Sequence, residues 1–574
     1  MNGKNWKRQC CALLLCAMTL PGIRTTVLVP IVEVLSPWKT LALGLVIFGV
    51  FDRWFVGRKV FSAATVIPGG LFALISTVYR CLGAKHTIIR PNPIWFFYCL
   101  GCFWLVYFCS LGVLYERFDR IKPKRMDMHI PYFWVLLVFW LPYVLLCFPG
   151  NIPYDTGTSV LYSLGINQSN ANNPYFQTFL FGAVYRLGVK MGSVSGVIFL
   201  YVLLQMFFYL VLLSHSLNLL EHWGTPGWIR LSLLLLYGVL PVFPCYALAM
   251  GKDSSFAPIL LGIGLLMLEF YSDTESFLRN RRKMAVLTLL CILIGLLRNK
   301  GYLIGMLCVL ACVILRMSRT RQLPWKLLLI LPIILSVEFL LPSALKVTEV
   351  DTKEFMSLPL QQTAYYVANY PEEVTERERA AISAVIDYDA LNEYVPGLAD
   401  PVKGRFKTDV TRDNLADFWI VWMAQLKKHP AAYLKAFYHQ TYAYYSPAAE
   451  RPDLKPHILL GNGVSNEVRE NTMLNFKTSE GHMKVSKIDA FYLSLPVVGL
   501  LQRIGIYAWM LLVIVVYLVK RMRPERLICL IPAVCVLTAC CCSPVNGYYR
   551  YAFGMILSVP VLFMGVLYAP DGKI

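Results

Sequence analysis

The chain has 574 residues, of which 57% are hydrophobic and only 15% charged, and its mean hydropathy is +0.55. No water-soluble fold of this length needs so much apolar sequence, so the composition predicts a polytopic membrane protein. The net charge of +20 does not indicate a nucleic-acid partner. The basic residues concentrate in short loops between apolar runs, where they report membrane topology.

Apolar runs dominate the chain from its N-terminus onward. The first run follows Lys4, Lys7 and Arg8, and we interpret it as a membrane anchor rather than a cleaved signal peptide, because many further runs follow. Runs of about 20 residues can cross a hydrocarbon core of roughly 30 Å, and they predict an all-α polytopic membrane protein with about 14 transmembrane helices. The predicted spans are 10–32, 38–56, 60–79, 94–115, 130–148, 194–220, 228–248, 254–272, 284–298, 301–315, 325–342, 489–519, 526–543 and 550–569.

The basic loops predict which ends of these spans face the cytoplasm. With this number of spans, the clusters at 4–8, 53–59, 117–125, 279–283, 316–326 and 520–526 fall on one side. One loop disagrees, since Arg80, Lys85, His86 and Arg90 fall on the other side. The prediction is a multi-pass protein of the cell membrane.

Two long loops are predicted on the outer face. In the first, residues 149–193, the apolar spacing of 174–190 predicts a helix that lies in the membrane interface rather than crossing it. The second, residues 343–488, is the extensive polar region and predicts a largely helical extracytoplasmic loop domain. It has a capped helix start at Thr375 and an amphipathic helix over 413–428.

The predicted organisation has four parts. They are N-terminal transmembrane helices (1–129), a transmembrane core with the first outer loop (130–342), the loop domain (343–488) and C-terminal transmembrane helices (489–574).

Asp155 is the first candidate functional residue. It lies in the Gly- and Pro-rich stretch 148–157, directly after the apolar run 130–147. A carboxylate at a membrane exit is costly to desolvate, so one held there indicates a functional site. The alternative is a solvated turn aspartate that caps a helix.

Three cationic positions fall at the outward ends of predicted spans. Lys252 and Asp253 interrupt two apolar runs, Arg298 separates the short runs 284–298 and 301–315, and Arg550 precedes the final span. The two short runs suggest a discontinuous pair of helices. Each cation alone could be a snorkelling side chain or part of a turn. Together with one acid, they suit a site for an anionic lipid head group and a polar co-substrate.

These features resemble the GT-C superfamily of integral membrane glycosyltransferases, in particular its protein-mannosyltransferase and aminoarabinose-transferase branch. That branch has an acidic residue early in the first outer loop, then an aromatic juxtamembrane helix, then a long span. Here Asp155, the stretch Asn173-Pro174-Tyr175-Phe176 and the span from about 194 follow that order. Arg550-Tyr551, with Pro560 following, matches a late element of the same branch. The resemblance covers roughly residues 130–315 and the last 30 residues, and implies a divergent bacterial member.

The resemblance implies a hexosyl or pentosyl transferase that moves a sugar from a polyprenyl-phosphate lipid to an extracytoplasmic hydroxyl, with inversion and with no cofactor or metal. Asp155 would be the general base. Lys252, Arg298 and Arg550 would bind the donor phosphate. The further substrate contacts implied are Asp253, Asn173, Tyr175 and Tyr551.

Two other classes of function stay open from the sequence. A transporter or lipid flippase for envelope precursors would also carry broken helices and intramembrane charges, although its charges belong near the bilayer midplane. A scaffold for envelope assembly would leave Asp155 replaceable. An ATP-driven pump is disfavoured, because the sequence has no P-loop.

Overall fold

The structure is a computed structural model that describes residues 3–24, 37–57, 62–79, 93–121, 123, 129–167, 173–344, 352–449, 458–476 and 478–572. Within these ranges every regular element is a helix, and extended backbone pairs only in isolated bridges. The predicted all-α class is therefore confirmed for the described chain. The basic loop 80–90, Arg58, Lys59 and parts of the 10–32 span and the 117–125 cluster lie outside the described residues.

The helices divide into those before and those after residue 350. The first group is α1 (Gly3–Arg24), α2 (Pro37–Val56), α3 (Ala63–Val78), α4 (Pro93–Asp119), α5 (Tyr132–Leu146), α6 (Tyr154–Ser163), α7 (Tyr175–Lys190), α8 (Val194–His222), α9 (Gly227–Val239), α10 (Val242–Ala247), α11 (Lys252–Ser272), α12 (Thr274–Arg279), α13 (Arg281–Leu297), α14 (Tyr302–Thr320), α15 (Trp325–Leu328) and α16 (Ile330–Ala344). The second group is α17 (Ser357–Asn369), α18 (Glu376–Ser383), α19 (Asp400–Lys403), α20 (Arg412–Lys428), α21 (Pro430–Tyr445), α22 (Asn466–Asn471), α23 (Glu480–Ser494), α24 (Pro496–Leu501), α25 (Ile504–Lys520), α26 (Ile531–Cys541) and α27 (Tyr549–Tyr568).

Seven helical segments of the described chain are long and apolar enough to cross a membrane, which is consistent with a helical membrane protein. They are Phe96–Asp119, Val194–His222, Lys252–Ser272, Tyr302–Thr320, Trp325–Ser343, Pro524–Cys541 and Tyr549–Tyr568. Four shorter apolar helices, α3, α5, α9 and α25, accompany them.

Some predicted spans are not single helices. The predicted span 228–248 is divided between α9 and α10 at Leu240 and Pro241. The predicted span 489–519 is divided among α23, α24 and α25, since Pro496 starts a new helix and cannot continue the previous one. The boundary of the loop domain at 488 therefore falls inside a helix, α23.

The short runs on either side of Arg298, predicted as a discontinuous pair of helices, form an antiparallel hairpin of two separate helices. Helices α13 and α14 lie side by side, and a Cβ atom on Gly305 would lie only 3.1 Å from the Cys291 carbonyl. Lys300 turns the chain between them in a left-handed conformation with φ 63°. The turn leaves Arg298 directly after the last residue of α13.

Helices α11 and α27 form the centre of the membrane part. In these two, 78% and 83% of the apolar window is buried, against 17–44% in the other five candidate spans. They run parallel, because Gly554 faces Leu260 whereas Gly565 faces Leu268. A Cβ on Gly264 would lie 2.9 Å from Leu562, so small residues allow the close approach. The N-termini of both helices therefore lie at the same end.

The loop region has its own hydrophobic core, which includes Met356, Leu360, Ile386, Phe418 and Tyr433. The predicted amphipathic helix over 413–428 is confirmed as α20. The predicted capped start is confirmed too, because Thr375 and Glu378 form a reciprocal capping box at α18. Residues 174–190 form the predicted helix, as α7.

Candidate functional site

Three charged side chains from three separate helices meet at one point. Asp155 is the second residue of α6, Lys252 is the first of α11 and Arg550 is the second of α27. Asp155 Oδ2 lies 2.9 Å from Lys252 Nζ and 3.0 Å from Arg550 Nη2. The N-cap of α6 is Pro153, so the Asp155 side chain forms ion pairs and is not in the capping position.

A second carboxylate continues this set of ion pairs. Arg550 Nε lies 3.6 Å from Asp253 Oδ2, and Arg298 Nη1 donates a hydrogen bond to Asp253 Oδ1 at 3.3 Å. The connection runs from Lys252 through Asp155, Arg550 and Asp253 to Arg298. We call these five residues the charged cluster. It brings together all four residues that the sequence predicted as base and phosphate ligands.

The charged cluster favours an anion. Its three cations and two carboxylates leave one formal positive charge. Helices α6, α11 and α27 begin at the cluster, so their unpaired N–H groups and the positive ends of their dipoles lie beside it. The Arg550 and Asp253 side chains are only 9% and 7% exposed, so their charges are weakly screened. A phosphate brought here meets a surplus cation and oriented donors.

Aromatic rings hold the two arginines in place. The Arg550 guanidinium lies 4.6 Å from the Tyr548 ring centre and 5.3 Å from that of Tyr551. Tyr551 also lies 6.0 Å from Arg298, whose guanidinium lies 5.1 Å from the Phe256 ring centre. Cation–π contact fixes the plane of each guanidinium and so the direction of its donors. Tyr551, predicted as a substrate contact, lies near two of the three predicted phosphate ligands, Arg298 and Arg550.

The cluster sets the charge state of Asp155. Burial by itself raises the pKa of this carboxyl, but the charges and hydrogen bonds of Lys252 and Arg550 outweigh burial and hold the pKa well below its ordinary value. Asp155 is therefore ionised at neutral pH. While both cations remain paired with it, the carboxylate is a weak proton acceptor.

A small cavity opens beside Asp155, Lys252 and Arg550. It offers about 10 Å³ of space, roughly the room that one water needs. Gln177 of α7 also lines it and is 1% exposed. Among the described residues, neither amide atom of Gln177 has a hydrogen-bond partner. Such a group is costly to bury, so Gln177 indicates a polar ligand in this cavity.

Asn151 positions the backbone on both sides of the cluster. It is fully buried, and its side chain donates to the Cys245 carbonyl and accepts from the Gly461 amide, both at 3.0 Å. Its backbone pairs with Leu248 and Met250 just before α11. One residue thus ties the segment before Asp155 to the segment before Lys252.

Asn151 also fixes the segment 458–464, which we call the strap. Ile152 N–H donates to the Gly461 carbonyl and Gly463 N–H donates to the Ile152 carbonyl, both at 2.8 Å. Leu459 of the strap lines the charged cavity. The strap is therefore the part of the loop region that closes over the cluster.

An apolar cavity of about 400 Å³ lies against the face of α7 next to the one that lines the charged cavity. Phe176 and Leu180 face the apolar cavity, whereas Gln177 and Phe181 face the charged one. Ser255, one turn after Lys252, marks the polar end of the apolar cavity. The two spaces thus share α7 and α11 as walls.

The remaining predicted substrate contacts, Asn173, Tyr175 and Asp253, differ in how they relate to the charged cluster. Asn173 joins the cluster, since its Oδ1 accepts from Lys252 Nζ at 3.2 Å. The buried Tyr175 hydroxyl forms no hydrogen bond within the described chain; burial, and then the charge of Glu338, raise the pKa of Tyr175 to about 12. Asp253 lies between two arginines. The sequence interpretation did not single out Gln177, which directly follows Phe176, or Asn151, which lies within the stretch 148–157.

Comparison with known proteins gives a family and no function. No curated protein and no solved structure matches the chain. Residues 167–572 match DUF6020, a family of unknown function, and this range contains Gln177, Lys252, Arg298 and Arg550 but begins after Asp155. Because the match covers well over half of the chain, the chain belongs to the DUF6020 family.

Proposed function

We propose that this chain is a membrane glycosyltransferase that moves a hexosyl or pentosyl group from a polyprenyl-phosphate donor to a hydroxyl acceptor in the envelope, with inversion. The single observation that carries the proposal is the charged cluster. It pairs one partly exposed carboxylate, Asp155, with cations that can take a phosphate in its place. A base and phosphate ligands within 3 Å of each other are the parts that this reaction needs.

The phosphate of the donor would bind Lys252 and Arg550. Arg550 supplies a planar fork of donors and Lys252 a mobile point charge, the two ways in which side chains hold phosphate. Arg298 does not line the charged cavity and is connected to it through its ion pair with Asp253, which does. Lys252 and Arg550 therefore carry direct contacts, and Arg298 supports Arg550 through the shared carboxylate.

The polyprenyl chain would occupy the apolar cavity. That cavity is lined by lipid-like side chains, ends at Ser255 and shares the walls α7 and α11 with the charged one. A lipid phosphate anchored at Lys252 would place its first isoprene units there. Burial of apolar chain contributes about 0.8 kcal/mol per CH₂ relative to water, so the cavity supports recognition of the lipid part.

Donor binding would also activate the base. When the phosphate takes over the contacts of Lys252 and Arg550, Asp155 loses the partners that lower its pKa. The freed carboxylate then takes the proton of the acceptor hydroxyl while the oxygen attacks the anomeric carbon. The bond from that carbon to the phosphate oxygen breaks with its electron pair, and polyprenyl phosphate leaves on the two cations.

The position of the charges favours a transferase over a transporter. Lys252 and Arg550 are the first and second residues of their helices, and Asp155 lies outside the candidate spans. A transported substrate binds near the bilayer midplane. Half the hydrocarbon thickness is about 15 Å, so a transport site would lie about 15 Å deeper in the membrane than the charged cluster. We place the cluster at the outer face, with residues 343–488 extracytoplasmic. A cysteine probe at position 409 should then be labelled from outside intact cells, and one at position 281 should not.

The test of function uses the purified chain in nanodiscs with polyprenyl-phosphate sugars that carry a radiolabelled hexosyl or pentosyl group. With an envelope extract as the source of hydroxyl acceptors, the expected result is transfer of the label from the lipid to an acceptor and appearance of polyprenyl phosphate. Lys252→Ala should weaken donor binding by about 10- to 150-fold, from 1.5–3 kcal/mol for a charged hydrogen bond. Lys427→Ala, which removes an exposed lysine, is the matched control. Label that crosses the bilayer but stays on its lipid would instead identify a flippase.

A further inference from the structure

A second basic cavity lies at the other end of the central helices. It has a volume of about 350 Å³ and is lined by Arg521, Arg523 and Arg526, which follow α25. Asp119, at the end of α4, faces them and pairs with Arg521. We call this space the arginine pocket.

The arginine pocket and the charged cluster lie at opposite ends of the same two helices. Helix α11 begins at Lys252 in the cluster and ends beside Tyr271, whose hydroxyl accepts from Arg526 Nε at 3.1 Å. Helix α27 begins beside Arg550 and ends at the carbonyl of Ala569, which accepts from Arg526 Nη2 at 2.9 Å. Each helix has 20 or 21 residues, about 30 Å, so the pocket faces the other side of the membrane.

The cations of the pocket differ in how firmly they are held. Arg526 is 4% exposed and donates four hydrogen bonds, two of them to the carbonyls of Val566 and Ala569, so it is a structural anchor for the end of α27. Arg521 and Arg523 are 43% and 45% exposed. The Asp571 carboxylate is 66% exposed and shared, since it lies 2.9 Å from Arg523 Nη1 and accepts from Arg526 Nη2 at 2.7 Å. The exposed Arg523–Asp571 pair contributes about 0–1 kcal/mol, so an incoming anion can take over Arg523 at little cost while Asp571 stays paired with the buried Arg526.

The walls of the pocket select a lipid rather than a soluble anion. Beside the arginines they carry Phe118, Ile121, Leu518 and Leu567, all at the ends of apolar helices. A phosphate diester that also carries acyl chains can satisfy both the cations and these apolar side chains. Free phosphate can satisfy only the cations.

We propose that the arginine pocket binds the phosphate diester of an anionic phospholipid of the phosphatidylglycerol type, on the membrane face opposite the charged cluster. Arg521 and Arg523 hold the phosphate, and Asp119 and Asp571, respectively, occupy their donors when no lipid is bound. Basic pockets between membrane helices are a known route to lipid recognition. This site is independent of the proposed transferase activity.

The test measures retention of phosphatidylglycerol by the full chain in mixed micelles, by native mass spectrometry, over a series of lipid fractions. Phosphatidylcholine is the neutral reference lipid. The double variant R521A/R523A should bind phosphatidylglycerol about 30-fold more weakly, since each of the two basic residues near a lipid head group contributes on the order of 1 kcal/mol. The control R281A/R282A removes two exposed arginines at the start of α13, at the same end of the molecule. It should leave retention within about twofold of the wild type.

A second variant, Asp571→Asn, is expected to raise the affinity for phosphatidylglycerol. It therefore tests the proposal even if R521A/R523A fails to fold. Asp571→Asn removes the negative charge that competes for Arg523 and keeps a side-chain oxygen that can accept from Arg526, so retention of phosphatidylglycerol should rise severalfold. Unchanged or weaker retention in D571N would overturn the proposal. So would an equal loss in both arginine double variants, or complete displacement of the lipid by inorganic phosphate at millimolar concentration.

Discussion

Arg550 and Asp155, which lie far apart in the chain, form an ion pair of 3.0 Å between Nη2 and Oδ2. The pair joins the N-terminus of the last helix to the N-terminus of the short helix α6. Together with Asp253, Asp155 compensates the buried charge of Arg550, which would cost several kcal/mol if it were left unpaired. In the same contact, the Asp155 carboxylate occupies donors that a phosphate would otherwise bind. These two roles of Asp155, charge compensation and competition with phosphate, lead to the following predictions.

Asp155→Asn should separate chemistry from binding. The amide cannot accept the acceptor proton, so turnover should fall by about 10²- to 10⁴-fold. Binding of polyprenyl phosphate should be equal or tighter, because the competing negative charge is gone. Turnover by radiolabel transfer and lipid retention by native mass spectrometry are measured on the same sample. Asp417→Asn, at an exposed position of α20, serves as control, and near-normal turnover in D155N would exclude Asp155 as the base.

Lysine substitutions should distinguish the two arginines. Arg550 spans two carboxylates, Asp155 and Asp253, with separate nitrogens of its planar fork. A lysine has one charged nitrogen and cannot bridge both. Arg298 reaches only Asp253, at 3.3 Å. Donor affinity should therefore drop about tenfold or more in R550K and at most a few-fold in R298K. Equal losses in titrations with polyprenyl phosphate would contradict this division of roles.

Gln177→Met should raise stability while it lowers activity. Methionine has a similar volume, and it removes a buried amide that has no partner among the described residues. The expected gain in free energy of unfolding is about 1–2 kcal/mol. If the amide binds a sugar hydroxyl, transfer should fall by about 10-fold. Thermal unfolding and turnover are compared for this variant and the wild type.

The matched control for stability is Gln205→Met, in a second buried glutamine. Its amide nitrogen donates to the carbonyls of Ala247 and Ala249, each at 2.9 Å. Methionine would leave both carbonyls without this donor, so the free energy of unfolding should fall by about 1–3 kcal/mol. The two substitutions should therefore shift the unfolding temperature in opposite directions. Loss of stability in Q177M as well would mean that the Gln177 amide already has a structural role.

The pH profile should report two states of Asp155. In the free protein the pKa of Asp155 is lowered from its ordinary 3.8, so its ion pairs stabilise the fold above that pH and are lost as the pH falls through the lowered value. No acid limb of kcat/KM from this group is then expected above pH 3.8. In the donor complex the cations turn to phosphate and the pKa rises, so the acid limb of kcat should lie at higher pH. Coincident limbs would contradict the exchange of partners.

Much of the fold could be predicted, because membrane helices appear in the sequence as long apolar runs. Charges that interrupt apolar runs marked Lys252, Arg298 and Arg550 as helix ends, and all three are found there. Hydropathy averages over a window, so it joined α23, α24 and α25 into one span and overlooked the break at Pro496.

The site was less accessible to the sequence, because it depends on packing between distant helices. Asp253 could not be recognised as the link between Arg550 and Arg298 without the parallel arrangement of α11 and α27. The apolar spacing of 174–190 predicted an interfacial helix and did not mark Gln177 as a buried residue. Its burial follows from the contact of α6 with α7, where Gly182 meets Ser163.

The parallel pairing of α11 and α27 has a consequence for motion. Their glycine-mediated contact leaves no room for sliding, so Lys252, Asp253 and Arg550 move as one body. A sugar is much larger than the cavity beside them, and access must come from the strap, which Asn151 and Ile152 hold by a few backbone hydrogen bonds. Amide hydrogens of Gly461 and Gly463 should therefore exchange with deuterium far faster than those at the centre of α11, and a bound donor should slow only the former.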